Sequence, residues 1–167
     1  MPDYEETEVH FGRTLELAKK GWGNTHPNPM VGAIIVEAGE VVAEGYHPRA
    51  GSAHAEVDAF SKLGRRPNNG ATMFVSLEPC STHGRTPPCV DAILRSGIKN
   101  LFVGSLDPNP EHAGRGIKIL EEAGVLVHLG SKKMQAKATR LNFIFNHNML
   151  KGRPLIALKM AETQNGM

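Results

Sequence analysis

Gly51-Ser52-Ala53-His54-Ala55-Glu56 opens the stretch that organises this chain, and Leu77-Glu78-Pro79-Cys80-Ser81-Thr82-His83-Gly84-Arg85-Thr86-Pro87-Pro88-Cys89 closes it. The stretch reads as helix, strand, helix. Ser52 or Ala53 is expected to open the first helix, which runs to about Leu63 with His54 and Glu56 in its first turn. Gly64 to Gly70 is a polar loop. Ala71 to Leu77 is apolar enough for a central strand, and it delivers Glu78-Pro79-Cys80 at its C-terminal end. Thr86 can cap the next helix, Pro87 or Pro88 suits its first position, and Cys89 then falls in the first turn. Two helix starts thus converge on one strand end. Their free N–H groups favour anions such as a carboxylate or a thiolate.

The residue types gathered there are unusual. The stretch holds His54 and the only two cysteines of the chain. One histidine and two cysteines make three ligands of a tetrahedral zinc and leave the fourth position open for water. Bound zinc lowers the pKa of that water towards about 7. Glu56, two residues past His54, is not needed as a ligand and is well placed to move protons. His-x-Glu followed by Pro-Cys and a later Cys is the layout of zinc deaminases, in which the Glu is the general acid/base. The usual second half is Pro-Cys-x-x-Cys, whereas here eight residues, Ser81 to Pro88, separate Cys80 from Cys89 and must loop out and return. Ordinary buried thiols and a satisfied core histidine would explain each residue singly. They do not explain Glu56 and Pro79 in register with all three.

Outward from this stretch, Asp3 to Lys20 carries Val9, Phe11, Leu15, Leu17 and Ala18 near one helical face. Thr25-His26-Pro27-Asn28-Pro29 is a stiff loop, because each proline fixes its own φ and restricts the residue before it. Asn28 is therefore presented in a set direction, as a substrate contact or as part of a simple turn. Val31 to Val36 and Val41 to Tyr46 read as strands of a hairpin turning at Glu37 to Glu40. His47-Pro48-Arg49-Ala50-Gly51 leads into the metal helix, with His47 and Arg49 as candidates for anion or ring contacts against a solvated-loop alternative. Lys99 to Ser105 and Val125 to Leu129 are further strands, with a helix between Gly114 and Gly124. Ser131 is expected to cap a last helix running to about His147, with Met134, Ala138, Leu141, Phe143 and Phe145 as core positions. The alternation implies a three-layer α/β/α sandwich on a mixed five-stranded sheet, with the metal where strand ends meet helix starts. Residues 1–150 form the catalytic unit. Residues 151–167 read as a linker, Lys151-Gly152-Arg153-Pro154, and a short strand, Leu155 to Met160, that begins a second unit.

Composition narrows the function. The 167 residues are 40% hydrophobic and 22% charged, an ordinary globular balance for one domain. A formal charge of +2 and 5% aromatics argue against a surface that coats or stacks on nucleic acid. The acidic, polar start, Met1 to Glu8, is unlike a signal peptide, and no apolar run approaches the roughly 20 residues that span a bilayer. The expected setting is cytoplasmic, without a membrane or nucleic-acid partner.

Further stretches carry a resemblance: Pro27-Asn28-Pro29-Met30-Val31-Gly32, Gly45-Tyr46-His47, His54-Ala55-Glu56, Leu77 to Cys89, and Asp107-Pro108-Asn109-Pro110. With them the chain resembles the deaminase domain of the bifunctional riboflavin-biosynthesis deaminase–reductases, cytidine-deaminase-like proteins. The Cys80-to-Cys89 spacer is more specific than the general zinc-deaminase signature. The resemblance implies hydrolytic deamination of 2,5-diamino-6-ribosylamino-4(3H)-pyrimidinone 5′-phosphate to 5-amino-6-ribosylaminouracil 5′-phosphate and ammonia. By matching position it implies a single zinc on His54, Cys80 and Cys89, with Glu56 catalytic. Asn28, His47, Arg85, Thr86, Asp107 and Asn109 would contact the pyrimidine nucleotide. NADPH would belong only to the reductase domain, of which 151–167 would be the beginning, and a homo-oligomer is expected. Two departures stand out. Thr82 follows Cys80-Ser81 where the family usually has His, with His83 next. Glu162-Thr163-Gln164-Asn165-Gly166 replaces the usual Ser-Leu-Asp-Gly. A nucleic-acid deaminase and a purely structural zinc domain, closed by His83 as fourth ligand, are the competing classes. The first lacks its Cys-x-x-Cys, and the second would leave Glu56 without a role.

Overall fold

The computed structural model describes residues 4–84, 87–110 and 112–163. The chain starts with a helix α1 (Tyr4–Lys19) and a hairpin of β1 (Gly32–Glu37) and β2 (Glu40–Tyr46). The hairpin turns at Ala38 and Gly39 with φ of 50° and 84°, the positive values that a tight two-residue hairpin turn requires. Then come α2 (Ala55–Leu63), β3 (Thr72–Val75), α3 (Cys89–Ser96), β4 (Asn100–Val103), α4 (Arg115–Glu122), β5 (Leu126–Leu129), α5 (Lys132–Leu141) and α6 (Phe143–Lys151). The sheet order is β2-β1-β3-β4-β5. β1 is antiparallel to both β2 and β3, whereas β3, β4 and β5 run parallel. The parallel half needs helical crossovers, which α3 and α4 supply.

Period-2 alternation divides the core. Ala33, Ile35, Met73, Val75, Leu101 and Val103 face α2, α3 and α4, while Ile34, Val36, Phe74 and Phe102 face α1 and α5. The expected three-layer sandwich on a mixed five-stranded sheet is therefore observed. Gly45 seats α2 directly on β2: a Cβ there would lie 2.2 Å from Ala55 O and 2.4 Å from Ala59 N. No described helix is long and apolar enough to cross a membrane.

Four expectations are corrected. The metal helix begins at Ala55, with His54 as its N-cap in extended conformation, so neither Ser52 nor Ala53 opens it and His54 precedes the first turn. Pro88, not a residue before it, holds the N-cap of α3, and Cys89 is the first helical residue. The last helix is two helices. Ser131 caps α5 as expected, its Oγ accepting from Met134 N–H, but the chain leaves the helical path at Asn142. There the buried Asn142 side chain accepts from Met30 N–H at 2.8 Å and donates to Met30 O at 2.9 Å, a two-point bond to the backbone entering β1. Met134 and Ala138 are buried and Leu141 and Phe145 half-buried, whereas the break turns Phe143 outward, 46% exposed. Finally, Leu155 to Met160 forms no strand. It has no ladder partner, and Ile156 is 89% exposed.

Candidate active site

Three elements bring the ligand set together. The N-cap of α2 supplies His54, the chain leaving β3 supplies Cys80, and the first residue of α3 supplies Cys89. Their ligand atoms all lie within 4.8 Å of one another. His54 Nδ1 is 3.2 Å from Cys89 Sγ and 3.4 Å from Cys80 Sγ. A tetrahedral zinc holds nitrogen and sulfur ligands about 3.5 Å apart, so the spacing fits such an ion. The Cys80 Sγ accepts the Cys89 backbone N–H at 3.3 Å, as a thiolate at a helix start should. The Cys89 thiol beside it, with the His54 ring and this N–H, pulls the Cys80 pKa down to about 4 despite burial. The bond to Cys80 and burial push the Cys89 thiol up, so without a metal the pair keeps one proton. The Cys80 thiolate raises the pKa of His54. His83 is exposed and outside this cluster.

Glu56 is 3% exposed. Burial, and next the Cys80 charge, raise its pKa to about 7, where a carboxyl can both accept and donate a proton. It lines a cavity of about 120 Å³ together with His54, Cys80, Asn28, His47 and Asp107. His47 is 2% exposed, and desolvation lowers its pKa. Its Nδ1 faces Ala53 O at 3.0 Å and so carries the proton. Its Nε2 then accepts from Asn28 Nδ2 at 3.1 Å, which leaves Oδ1 as the acceptor end of Asn28. Burial raises the Asp107 pKa, although its Oδ1 accepts from Asn109 N–H at 2.8 Å. A second cavity, about 360 Å³, adjoins the first through Asn28, His54 and Cys80 and is lined also by Ser52, Thr82 and Gly84.

Of the expected site residues, His54, Cys80, Cys89, Glu56, Asn28, His47 and Asp107 converge. Asn109 sits in the same turn as Asp107 but is not among the residues lining either cavity. Arg49 is exposed and lines neither. Arg85 and Thr86 lie outside the described residues. Sequence reading gave no role to Glu78. It is 6% exposed, and its carboxylate accepts backbone N–H groups of Asp107 at 3.1 Å, Gly114 at 2.9 Å and Gly116 at 2.9 Å. An acidic residue closing an apolar strand run, directly before Pro-Cys, was the available signal. Phe145 of α6 also lines the smaller cavity, although it was expected as core.

Comparison with known proteins agrees with this geometry. The chain is 47% identical over 161 residues to riboflavin biosynthesis protein RibD of Escherichia coli, covering 96% of this chain and 43% of that protein. RibD of Acinetobacter baumannii superposes with a TM-score of 0.91 at 39% identity, over 98% of this chain and 46% of that one. A Thermotoga maritima diaminohydroxyphosphoribosylaminopyrimidine deaminase/5-amino-6-(5-phosphoribosylamino)uracil reductase superposes with a TM-score of 0.89 at 41% identity, over 97% and 46%. The chain thus spans less than half the length of these relatives. Residues 5–105 match the cytidine and deoxycytidylate deaminase zinc-binding region. A histidine and two cysteines at zinc-ligand spacing, a buried glutamate beside them and this match lead to one conclusion: the chain belongs to the zinc-dependent cytidine and deoxycytidylate deaminase family.

Proposed function

We propose that this chain deaminates 2,5-diamino-6-ribosylamino-4(3H)-pyrimidinone 5′-phosphate by hydrolysis. Water adds at the amidine-like C2, the C2–NH2 bond breaks, and 5-amino-6-ribosylaminouracil 5′-phosphate and ammonia are released. The observation that carries this reading is the buried Glu56 carboxyl on the same small cavity as His54 and Cys80, facing Asn28, His47 and Asp107. His54, Cys80 and Cys89 would hold one zinc. When bound, that ion would acidify water at neutral pH and draw charge from the reacting carbon. Glu56 accepts the proton of the attacking water and returns protons to the ring nitrogen and the departing amine. Neutral His47 fixes Asn28, whose Oδ1 accepts from a ring N–H or amino group. Asp107 offers the same type of acceptor from the facing loop, and Asn109 would act from the same turn. Arg85 suits the phosphate or the electron-rich ring oxygen by chemistry, since guanidinium binds such acceptors in bidentate fashion, and Thr86 beside it would be a further substrate contact.

In this reading residues 1–150 are the deaminase domain and 151–167 lead towards a reductase portion such as the longer relatives have. NADPH chemistry belongs to that portion. A cytoplasmic homo-oligomer is the expected form. The test is ammonia release by the zinc-loaded protein, with the diaminopyrimidinone nucleotide and dCMP supplied separately. Turnover of the first without the second is expected. A preference for dCMP, or no turnover of the first, would overturn the assignment.

A further inference from the structure

Glu78 is a buried carboxylate whose charge is met, in the interactions of the described residues, by backbone N–H groups. Its three donors come from the two sides of one loop: Asp107 at its start, and beyond it Gly114, the N-cap of α4, and Gly116 in the first turn of that helix. Oε2 accepts from Asp107 and Gly114, and Oε1 from Gly116. The Glu78 backbone N–H also donates to Ser105 O at 2.8 Å, which fixes the chain just ahead of Asp107. Gly116 lies so close that a Cβ on it would meet Pro79 O at 2.2 Å. The loop is thus clamped onto the segment that continues into Cys80, and one end of the clamp is the backbone of Asp107, whose carboxyl lines the cavity. A carboxylate suits this duty because both oxygens accept, and a bond to a charged acceptor is stronger than a neutral one.

We propose that Glu78 is a positioning residue for the deaminase reaction: it sets the distance between the Asp107 loop and the metal segment, and through Asp107 it sets the affinity for the pyrimidine nucleotide. The proposal rests on the deaminase reading given above. Glu78 also borders the small cavity, but both its carboxylate oxygens are taken up by backbone N–H groups, so its effect should enter through binding and not through proton transfer. In Glu78→Gln one oxygen becomes an NH2 group facing an N–H, and the loop must shift.

The experiment is a double-mutant cycle in KM and kcat with Glu78→Gln, Asp107→Ala and the double variant, each checked for zinc content. Glu78→Gln should keep its zinc and raise KM by about tenfold, the worth of one polar contact, with kcat within about threefold of wild type. In the double variant KM should equal that of Asp107→Ala alone, because the two substitutions remove the same contact. Additive effects on KM, or a loss confined to kcat and zinc content, would overturn the proposal. A wild-type protein that fails to turn the nucleotide over would instead refute the deaminase reading. The clamp itself is tested without substrate by hydrogen exchange on the wild-type protein. Slow exchange at the Asp107, Gly114 and Gly116 amides is expected, and rapid exchange at Asp107 would overturn the proposal even if Glu78→Gln did not fold.

Discussion

The two faces of the sheet are packed by different means. Against α2 the contact is made by small residues, Ala33, Ala43, Ala55 and Ala59, with Gly45 letting two backbones touch. Against α1 and α5 it is made mainly by rings, beside one close backbone approach at Gly32, where a Cβ would lie 2.1 Å from Thr14 O. Phe74 stacks on Phe102 at 4.7 Å, Phe11 meets Phe74 edge-on at 5.6 Å, and His10 and His128 extend the row on either side. Small residues leave a helix almost no freedom to slide, whereas rings bury large areas with less exacting register. On the face that carries the candidate ligands His54, Cys80 and Cys89, small residues set the contact with α2. The other buries its area mainly in rings, with α1 seated at Gly32.

Gly45→Val should break this division most severely. The added carbons would enter the space of Ala55 O and Ala59 N, and α2 would have to lift, taking His54 and Glu56 with it. We expect most bound zinc and nearly all turnover to be lost, with stability reduced by at least the 1–3 kcal/mol usual for overpacking. Metal analysis of the purified variant decides it, and full zinc occupancy would contradict the view that this contact sets the site. Phe74→Ala is the converse. It should cost about 3–5 kcal/mol in denaturant unfolding, while the folded fraction keeps its zinc and its kcat. A zinc-free folded fraction would mean that the two faces are not separable.

A smaller effect concerns pH. His10 is buried in the ring-packed face, and desolvation holds its pKa below the ordinary 6.5, against a weaker opposing pull from Glu6. The unfolded chain therefore binds a proton more readily than the native one just below pH 6.5. Stability is fully present above 6.5 and falls as pH drops through the window between 6.5 and the lowered native value. His47, also lowered, adds a fall of the same sign. Glu56 and Asp107, raised by burial, oppose that fall, so the test is a difference: from about pH 7 to 5, His10→Phe should lose less stability, or gain more, than wild type in denaturant unfolding. An unchanged slope would remove His10 from the account.

The same contrast explains what was legible in the sequence. The candidate metal cluster, His54, Cys80 and Cys89, with Glu56 beside it, uses residue types that few other tasks require, at the ends of elements whose apolar patterns are plain. Asn28 was legible as a side chain on a stiff loop and His47 as one candidate on the next loop, whereas Asp107 was named only through the family resemblance. What escaped reading depends on groups without sequence identity or on distant partners. Glu78 binds backbone N–H groups 29 to 38 residues away. Asn142 breaks the last helix by pairing with Met30, 112 residues earlier. The run Leu155 to Met160 has strand composition, but strand formation needs a neighbouring edge, which composition does not reveal.

The central claim is that Glu56 moves protons beside a metal it does not bind, and Glu56→Gln tests it directly. Glutamine keeps the size of the side chain but cannot take a proton. The variant should fold, carry zinc at the wild-type ratio and bind the nucleotide, while turnover falls by about 10²–10⁴-fold. Near wild-type turnover with zinc retained would contradict the assignment of Glu56 as the base, and loss of zinc would make it a ligand instead.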